Sequence, residues 1–193
     1  MIPNLLPQTP SQTVGPFFAL GLAAQQYGYH FPQIAYGRIA RDDTPGERIR
    51  IIGRVIDGVG EAVPDALIEV WQADASGRYP GPEAFADSSA FHGFGRIGTG
   101  SDASFRFTIE TIKPGRHGRE APHLNVIVFM RGLLLHAHTR IYFSDEKAAN
   151  ERCPVLALVP PERRETLIAT LCGSHYLFDI HMQGDRETVF FDI

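Results

Sequence analysis

The chain has 193 residues, enough for one domain with a sizeable core and too few for two ordinary ones. Apolar residues make up 44% and charged residues 21% of it, which excludes a disordered chain, and a formal net charge of −4 argues against nucleic acid as a partner. Cys153 and Cys172 exclude a disulfide framework and a CxxC metal site, and they point to a reducing cytoplasm.

The N-terminus, MIPNLLPQTPSQTVGPFF, has no basic n-region and no unbroken apolar core, so it does not read as a signal peptide. The longest apolar stretches, such as Val126 to Met130, are far shorter than a bilayer span, so no membrane partner is expected. Pro3, Pro7, Pro10 and Pro16 punctuate a turn-rich arm over residues 1–46, with a short helical stretch around Ala19 to Gln26. Such an arm buries itself poorly and is expected to lie on the domain surface or to reach a partner chain. Residues 47–193 form the domain proper.

Strand signals begin at Arg48, where polar and apolar residues alternate through Ile51 and continue to Val55 and Ile56. Asp57-Gly58-Val59-Gly60 marks a turn. Further strands are predicted over Ala66 to Ala73, Ser104 to Ile112, Leu124 to Met130 and Leu133 to Phe143. In the second of these, Phe105, Phe107 and Ile109 share a face. A short helix is predicted from Asp145 to Arg152. A better marked one follows Pro160-Pro161, with Leu167, Ile168 and Leu171 as its apolar stripe and Gly173 after it. His175 to Gln183 and Thr188 to Phe191 close the chain as a hairpin through Gly184-Asp185. Runs of strands without alternating helices predict a mainly β fold: an antiparallel β-sandwich core, a few peripheral helices and an extended N-terminal arm.

The usual catalytic signatures are missing from the sequence. It contains no GxxxxGK[ST], no GxGxxG opening a helix after a strand and no GxSxG. Eight histidines remain. His136 and His138 would point to one side of a strand, but no third ligand lies near them in sequence. Only Lys113 and Lys147 among the 18 basic residues are lysines. Arginine suits interfaces and carboxylate recognition, and codon bias accounts for the excess equally well.

Ile51 to Tyr79, IIGRVIDGVGEAVPDALIEVWQADASGRY, resembles the signature of the intradiol ring-cleaving dioxygenases. TPSQTVGPF, TIKPG, APH, HTRIYF, CPVL and ETVFFD extend the resemblance over the chain. The resemblance implies a ferric ion held by two tyrosinates and two histidines, which activates a catecholic substrate for cleavage by O2 between its hydroxyl-bearing carbons. Carried over position by position, the ligand set is incomplete. Tyr79 and His123 match, but Arg116-His117 stands where the second tyrosine belongs and Asn125 where the second histidine belongs. Glu120 replaces an expected arginine. The resemblance therefore implies an α-type subunit with a vestigial site at Tyr79, His117, His123 and Asn125. A homologous β subunit would hold Fe(III), within a higher (αβ)n oligomer acting on 3,4-dihydroxybenzoate and O2. The same resemblance places Thr13, Gly15 and Pro16 of the arm, and Arg131, at the wall of the partner's substrate pocket. His136 and His138 do not coincide with ligand positions and are set aside. Two alternatives stay open. One is a self-sufficient iron enzyme using Tyr79, His117, His123 and a fourth group. The other is a non-enzymatic, transthyretin-like binding module.

Overall fold

The structure, a computed structural model, describes residues 15, 17–82, 84 and 91–192. Among the described residues nine strands carry the fold: β1 (Arg48–Ile56), β2 (Leu67–Gln72), β3 (Phe94–Gly98), β4 (Arg106–Ile112), β5 (His123–Phe129), β6 (Ala137–Phe143), β7 (Ile168–Cys172), β8 (His175–Leu177) and β9 (Ile180–His181). The helices are short: α1 (Phe17–Leu22), α2 (Lys147–Glu151) and α3 (Pro154–Leu158), with 3₁₀ turns at Ala24–Tyr27 and Pro161–Leu167.

The strands hydrogen-bond in the order β3-β2-β5-β6-β7-β8-β1-β4, and β9 also pairs with β1. Alternation decides which face of each strand turns inward. Ile68 and Val70 of β2, Leu124, Val126 and Val128 of β5, and Ile141 and Phe143 of β6 point one way. They meet Ile49, Ile51 and Val55 of β1 and Phe107 and Ile109 of β4 in one buried cluster. Strands at opposite ends of the hydrogen-bonded path thus face each other across a common core, which agrees with the expected sandwich.

The pairing is not wholly antiparallel. β6 pairs parallel with β7, and β1 pairs parallel with both β8 and β9. A parallel neighbour needs a long crossover. The excursion through α2, α3 and the Pro161–Leu167 turn supplies one between β6 and β7.

Several local expectations change. The helix predicted after Pro160-Pro161 is a 3₁₀ turn that ends at Leu167, and Ile168 and Leu171 lie on β7. Their spacing fits a helix, but β6 offers an unpaired edge, and Tyr142 and Phe143 take Ile168 and Ala169 as partners. Phe105 leaves the predicted strand face. Its φ is +55°, because the Asp102 carboxylate accepts from the Ser104 and Arg106 amides and curls the chain there. Leu133 to His136 form a turn, so β6 starts only at Ala137. β3 had no counterpart in the sequence reading. The closing segment is not a simple hairpin: Thr188 donates to the His181 carbonyl and Phe191 to that of His138, so the stretch bridges β9 and β6.

Residues 17–46 run over the domain surface. Ala19 and Ala23 pack on Leu67, on the outer face of β2. The Gln26 amide brackets Gly98, donating to its carbonyl at 2.6 Å and accepting its N–H at 2.8 Å. Among the described residues no helix is long and apolar enough to cross a membrane.

Candidate functional site

The residues singled out by the incomplete ligand set converge on the outer face of the β2-β5-β6 layer. His123 and Asn125 are two apart on β5 and share that face, opposite the core residues Leu124 and Val126. Register sets their neighbours: Tyr142 lies opposite His123, and Arg140 and Trp71 flank Asn125 on either side. Tyr79 arrives from the turn after β2. That turn is fixed by Asp74, whose carboxylate accepts from the Ser76 and Arg78 amides at 2.8 and 3.0 Å. Burial alone would raise the Asp74 carboxyl, but these hydrogen bonds win and hold it below the usual range. Gly77 in this turn has a φ of +81°, and a Cβ there would sit 1.9 Å from the Arg116 carbonyl oxygen. Only glycine lets the TIKPG loop close on the turn.

The side chains form a directed chain of hydrogen bonds. The Asn125 Nδ2 donates to the Trp71 carbonyl at 3.4 Å and to Tyr79 Oη at 2.8 Å. Tyr79 Oη, already accepting, gives its proton to His123 Nε2 at 3.2 Å. His123 Nδ1 in turn donates to the Ala121 carbonyl at 2.8 Å. In this scheme the phenol is neutral and the imidazole is neutral and protonated on Nδ1. Burial drives both groups that way, raising the Tyr79 phenol and lowering the His123 imidazolium. His123 is only 3% exposed. Trp71 stacks on Tyr79 with ring centres 6.3 Å apart, and His117 meets Tyr79 edge-on at 5.0 Å while its Nδ1 donates to the Gly77 carbonyl.

Beside this chain lies an ion pair. Arg140 Nη1 donates to Glu120 at 2.8 Å and to Tyr142 Oη at 3.3 Å. Both charged side chains are largely covered, at 22% and 27% exposure. Neither Arg140 nor Trp71 was a candidate from sequence. The HTRIYF motif and the β-register were the signals that place Arg140 opposite Asn125.

Ferric iron prefers anionic tyrosinates and free imidazole lone pairs. Here Tyr79 is a hydrogen-bond donor aimed at His123, an amide N–H points at its phenol oxygen, and the neighbouring Tyr142 oxygen accepts from Arg140. Glu120 is engaged by a guanidinium. These residues do not fit a ferric ion. Among the described residues no group of three His, Cys, Asp or Glu side chains converges as a metal site.

The partner-facing candidates lie elsewhere. Thr13 and Pro16 fall outside the described residues. Gly15 is exposed, and its carbonyl accepts from the Phe18 amide at 3.0 Å, at the start of α1. Arg131 stands in the β5-β6 turn, half exposed, with Nε 3.2 Å from the Asp65 carboxylate. The Asp65 oxygens are buried and accept no hydrogen bond among the described residues, so Arg131 is their counter-ion. Phe129 ends β5 four residues past Asn125, roughly 13 Å along the strand, and Arg131 lies farther still. Arg131 cannot line this chain's own Tyr79 and His123 cluster. His136 and His138 do come together, ring centres 4.7 Å apart, although His136 sits in the turn.

The Dioxygenase family model matches residues 33–184. The chain belongs to the intradiol dioxygenase family. It is 52% identical to the protocatechuate 3,4-dioxygenase alpha chain of Burkholderia cepacia, over 97% of this chain and 98% of that one. It is also 44% identical to the beta chain from the same organism, over 74% of this chain and 67% of the beta chain. Among solved structures, the dioxygenase domain of a carbohydrate-binding fusion protein from Streptomyces sp. SirexAA-E superposes with a TM-score of 0.59. It is 21% identical and covers 94% of this chain and 100% of that one. At that identity the match speaks for the shared intradiol fold alone.

Proposed function

We propose that this chain is the α subunit of a protocatechuate 3,4-dioxygenase. Its partner would be a β-type chain that carries the complete two-tyrosine, two-histidine set and the Fe(III). The complex would convert 3,4-dihydroxybenzoate and O2 to 3-carboxy-cis,cis-muconate in the cytoplasm, as a step of aromatic degradation through the β-ketoadipate pathway. The observation that carries the reading is the similarity to alpha chains over nearly the full length of both sequences. The iron, when bound in the partner, supplies orientation and electronic activation of the catecholate.

This chain's own contribution is steric and electrostatic. Tyr79, His117, His123 and Asn125 are a vestigial site whose groups now satisfy one another. Thr13, Gly15 and Pro16 would wall the partner's pocket. Arg131 would hold the substrate carboxylate, since a guanidinium donates two parallel hydrogen bonds to a carboxylate. Its Nε faces the Asp65 carboxylate as an ion pair, and the Nη groups are the donors proposed for the ligand. Protomers would repeat as (αβ)n.

Co-expression with the β-type chain tests the reading. The expected product is an active complex with one iron per pair of chains and a tyrosinate charge-transfer colour. Stoichiometric ferric iron in this chain expressed alone, with that colour, would overturn it and favour a self-sufficient enzyme.

A further inference from the structure

We propose that a cavity on the outer face of the β4-β1-β8 layer binds a small, multiply charged oxyanion, a polycarboxylate or a phosphate. The cavity measures about 430 Å³, and its lining includes Arg38, Asp42, Arg48, Arg50, Glu110 and His175. That volume lies within the range of small-molecule sites. None of these residues belongs to the Tyr79 cluster or to the pocket-wall candidates, so the site stands or falls apart from the α-subunit reading.

Strand alternation builds the site. Ile49 and Ile51 of β1 belong to the core, so Arg48 and Arg50 share the outer face. Arg50 lies opposite Glu110 of β4, and on its other side His175 of β8 stands one residue before the Ile51–Tyr176 pair. The surface segment before β1 closes over this face. Its Ile39 amide donates to the Glu110 carbonyl at 2.8 Å, which brings Arg38 to the same cavity. Two guanidinium groups spaced i, i+2 on one strand face, with a third beside them, repel one another. An anion between them turns that repulsion into binding.

The carboxylates of the cavity do not cancel this charge. Arg38 pairs with Asp42 and Arg50 with Glu110, and all four side chains are at least 41% exposed. Exposed pairs of this kind are weak and screened. Arg48 has no carboxylate partner among the described residues. Its Nη2 donates to the backbone carbonyls of Arg41 and Thr44, which hold the guanidinium in place and leave its charge uncompensated. A guanidinium fixed in this way is preorganised for the oxygens of a carboxylate or phosphate. A monoanion can satisfy one such group; a multiply charged anion can span all three, which sets the class of ligand.

The test is calorimetric titration of the full chain, at fixed ionic strength, with citrate, pyrophosphate and acetate. Citrate or pyrophosphate should saturate one site per chain, with acetate weaker by about tenfold or more. Saturation by citrate alone would give the site to polycarboxylates, and by pyrophosphate alone to phosphates; either supports the proposal. Arg48→Met should weaken the bound probe by about 10- to 100-fold. Glu110→Gln removes a competitor for Arg50 and should tighten it by about threefold. The opposite signs separate a ligand contact from a loss of structure. Arg48→Met also releases the Arg41 and Thr44 carbonyls, so Glu110→Gln, which leaves them alone, carries the test if that variant does not fold. No saturable binding of either probe would overturn the proposal, as would one affinity shared by the wild type and both variants, which would place the ion elsewhere. The same affinities are expected in the co-expressed complex. Binding lost on assembly would mean that a partner covers the cavity, and would overturn it as a ligand site.

Discussion

On the α-subunit reading, Tyr79 is a former ligand position that has become a structural one. Its oxygen accepts from Asn125 and donates to His123, so both neighbours depend on it. Tyr79→Phe leaves a buried imidazole nitrogen and an amide N–H without that partner. The expected cost is about 1–3 kcal/mol of stability, read as a lower midpoint in denaturant. The iron content of the complex should be unchanged, and loss of iron would sink the vestigial-site reading. Much of this cluster was legible in the sequence. Tyr79, His123 and Asn125 fall on motif positions, and strand alternation puts the last two on one face. The Glu120–Arg140 pair was not legible, because its members are distant in sequence and only the β5-β6 register brings them together. Phe105 was misplaced for a related reason. Side-chain alternation reports hydrophobicity, and an Asx-type turn at Asp102 overrides it through the backbone.

At the scale of elements, the joint between β4, β6, α2 and β8 depends on Lys113. It lies just beyond β4, with an 11% exposed side chain, and pairs with Asp145 at 2.6 Å and Glu146 at 3.0 Å. Tyr176 of β8 donates to the same Asp145. Burial opposes charge on both Lys113 and Asp145, but their mutual hydrogen bonds win. The ammonium is raised above its ordinary value and the Asp145 carboxyl lowered below its own. Burial and the Asp145 hydrogen bond push the Tyr176 phenol up to about 12. Lys113→Met strands two partly buried carboxylates. A fully buried pair would cost about 3–5 kcal/mol to break. With the acids about a third exposed, water screens them, and about 2–3 kcal/mol is expected. The Asp145 contribution is present above its unfolded pKa of about 3.9 and is lost as pH falls through the lower folded value. The Lys113 contribution is present below about pH 10.4 and is lost as pH rises through the higher folded value. Melting temperatures across this range should show both limbs in the wild type. In Lys113→Met the alkaline limb should shrink to what Tyr176 and the other buried phenols contribute, and the acid limb should move to higher pH; an unaltered profile would refute the pairing. The strands that meet at this joint were mostly predicted. Their parallel pairing was not, because edge β6 is completed by a segment whose leucine spacing mimics a helix.

At the scale of the whole molecule, the two groups of candidate residues lie apart. One end of its outer sheet face holds a closed, self-satisfied cluster, and the opposite end presents Gly15, Arg131 and an uncovered apolar turn. On the α-subunit reading, that division suits an enzyme split between homologous chains: the side proposed to complete a neighbour's pocket is kept while the local site is filled by its own hydrogen bonds. Composition could not show it, since an arginine in a turn reads as a solvated charge until its counter-ion is known. Asp65 supplies that counter-ion from the loop before β2, more than sixty residues away in sequence. Arg131→Ala in the assembled complex should raise KM for 3,4-dihydroxybenzoate by roughly 10- to 100-fold, the worth of a charge-assisted hydrogen bond of about 1.5–3 kcal/mol. KM for catechol, which has no carboxylate, should stay within twofold. Asp65→Asn keeps the shape of the side chain but releases Arg131 Nε from a charged partner. It should shift KM in the same direction by less, about threefold, with turnover of bound substrate preserved. An equal rise for both substrates in Arg131→Ala would mean that the arginine supports assembly instead of reading the carboxylate, and would remove it from the pocket wall.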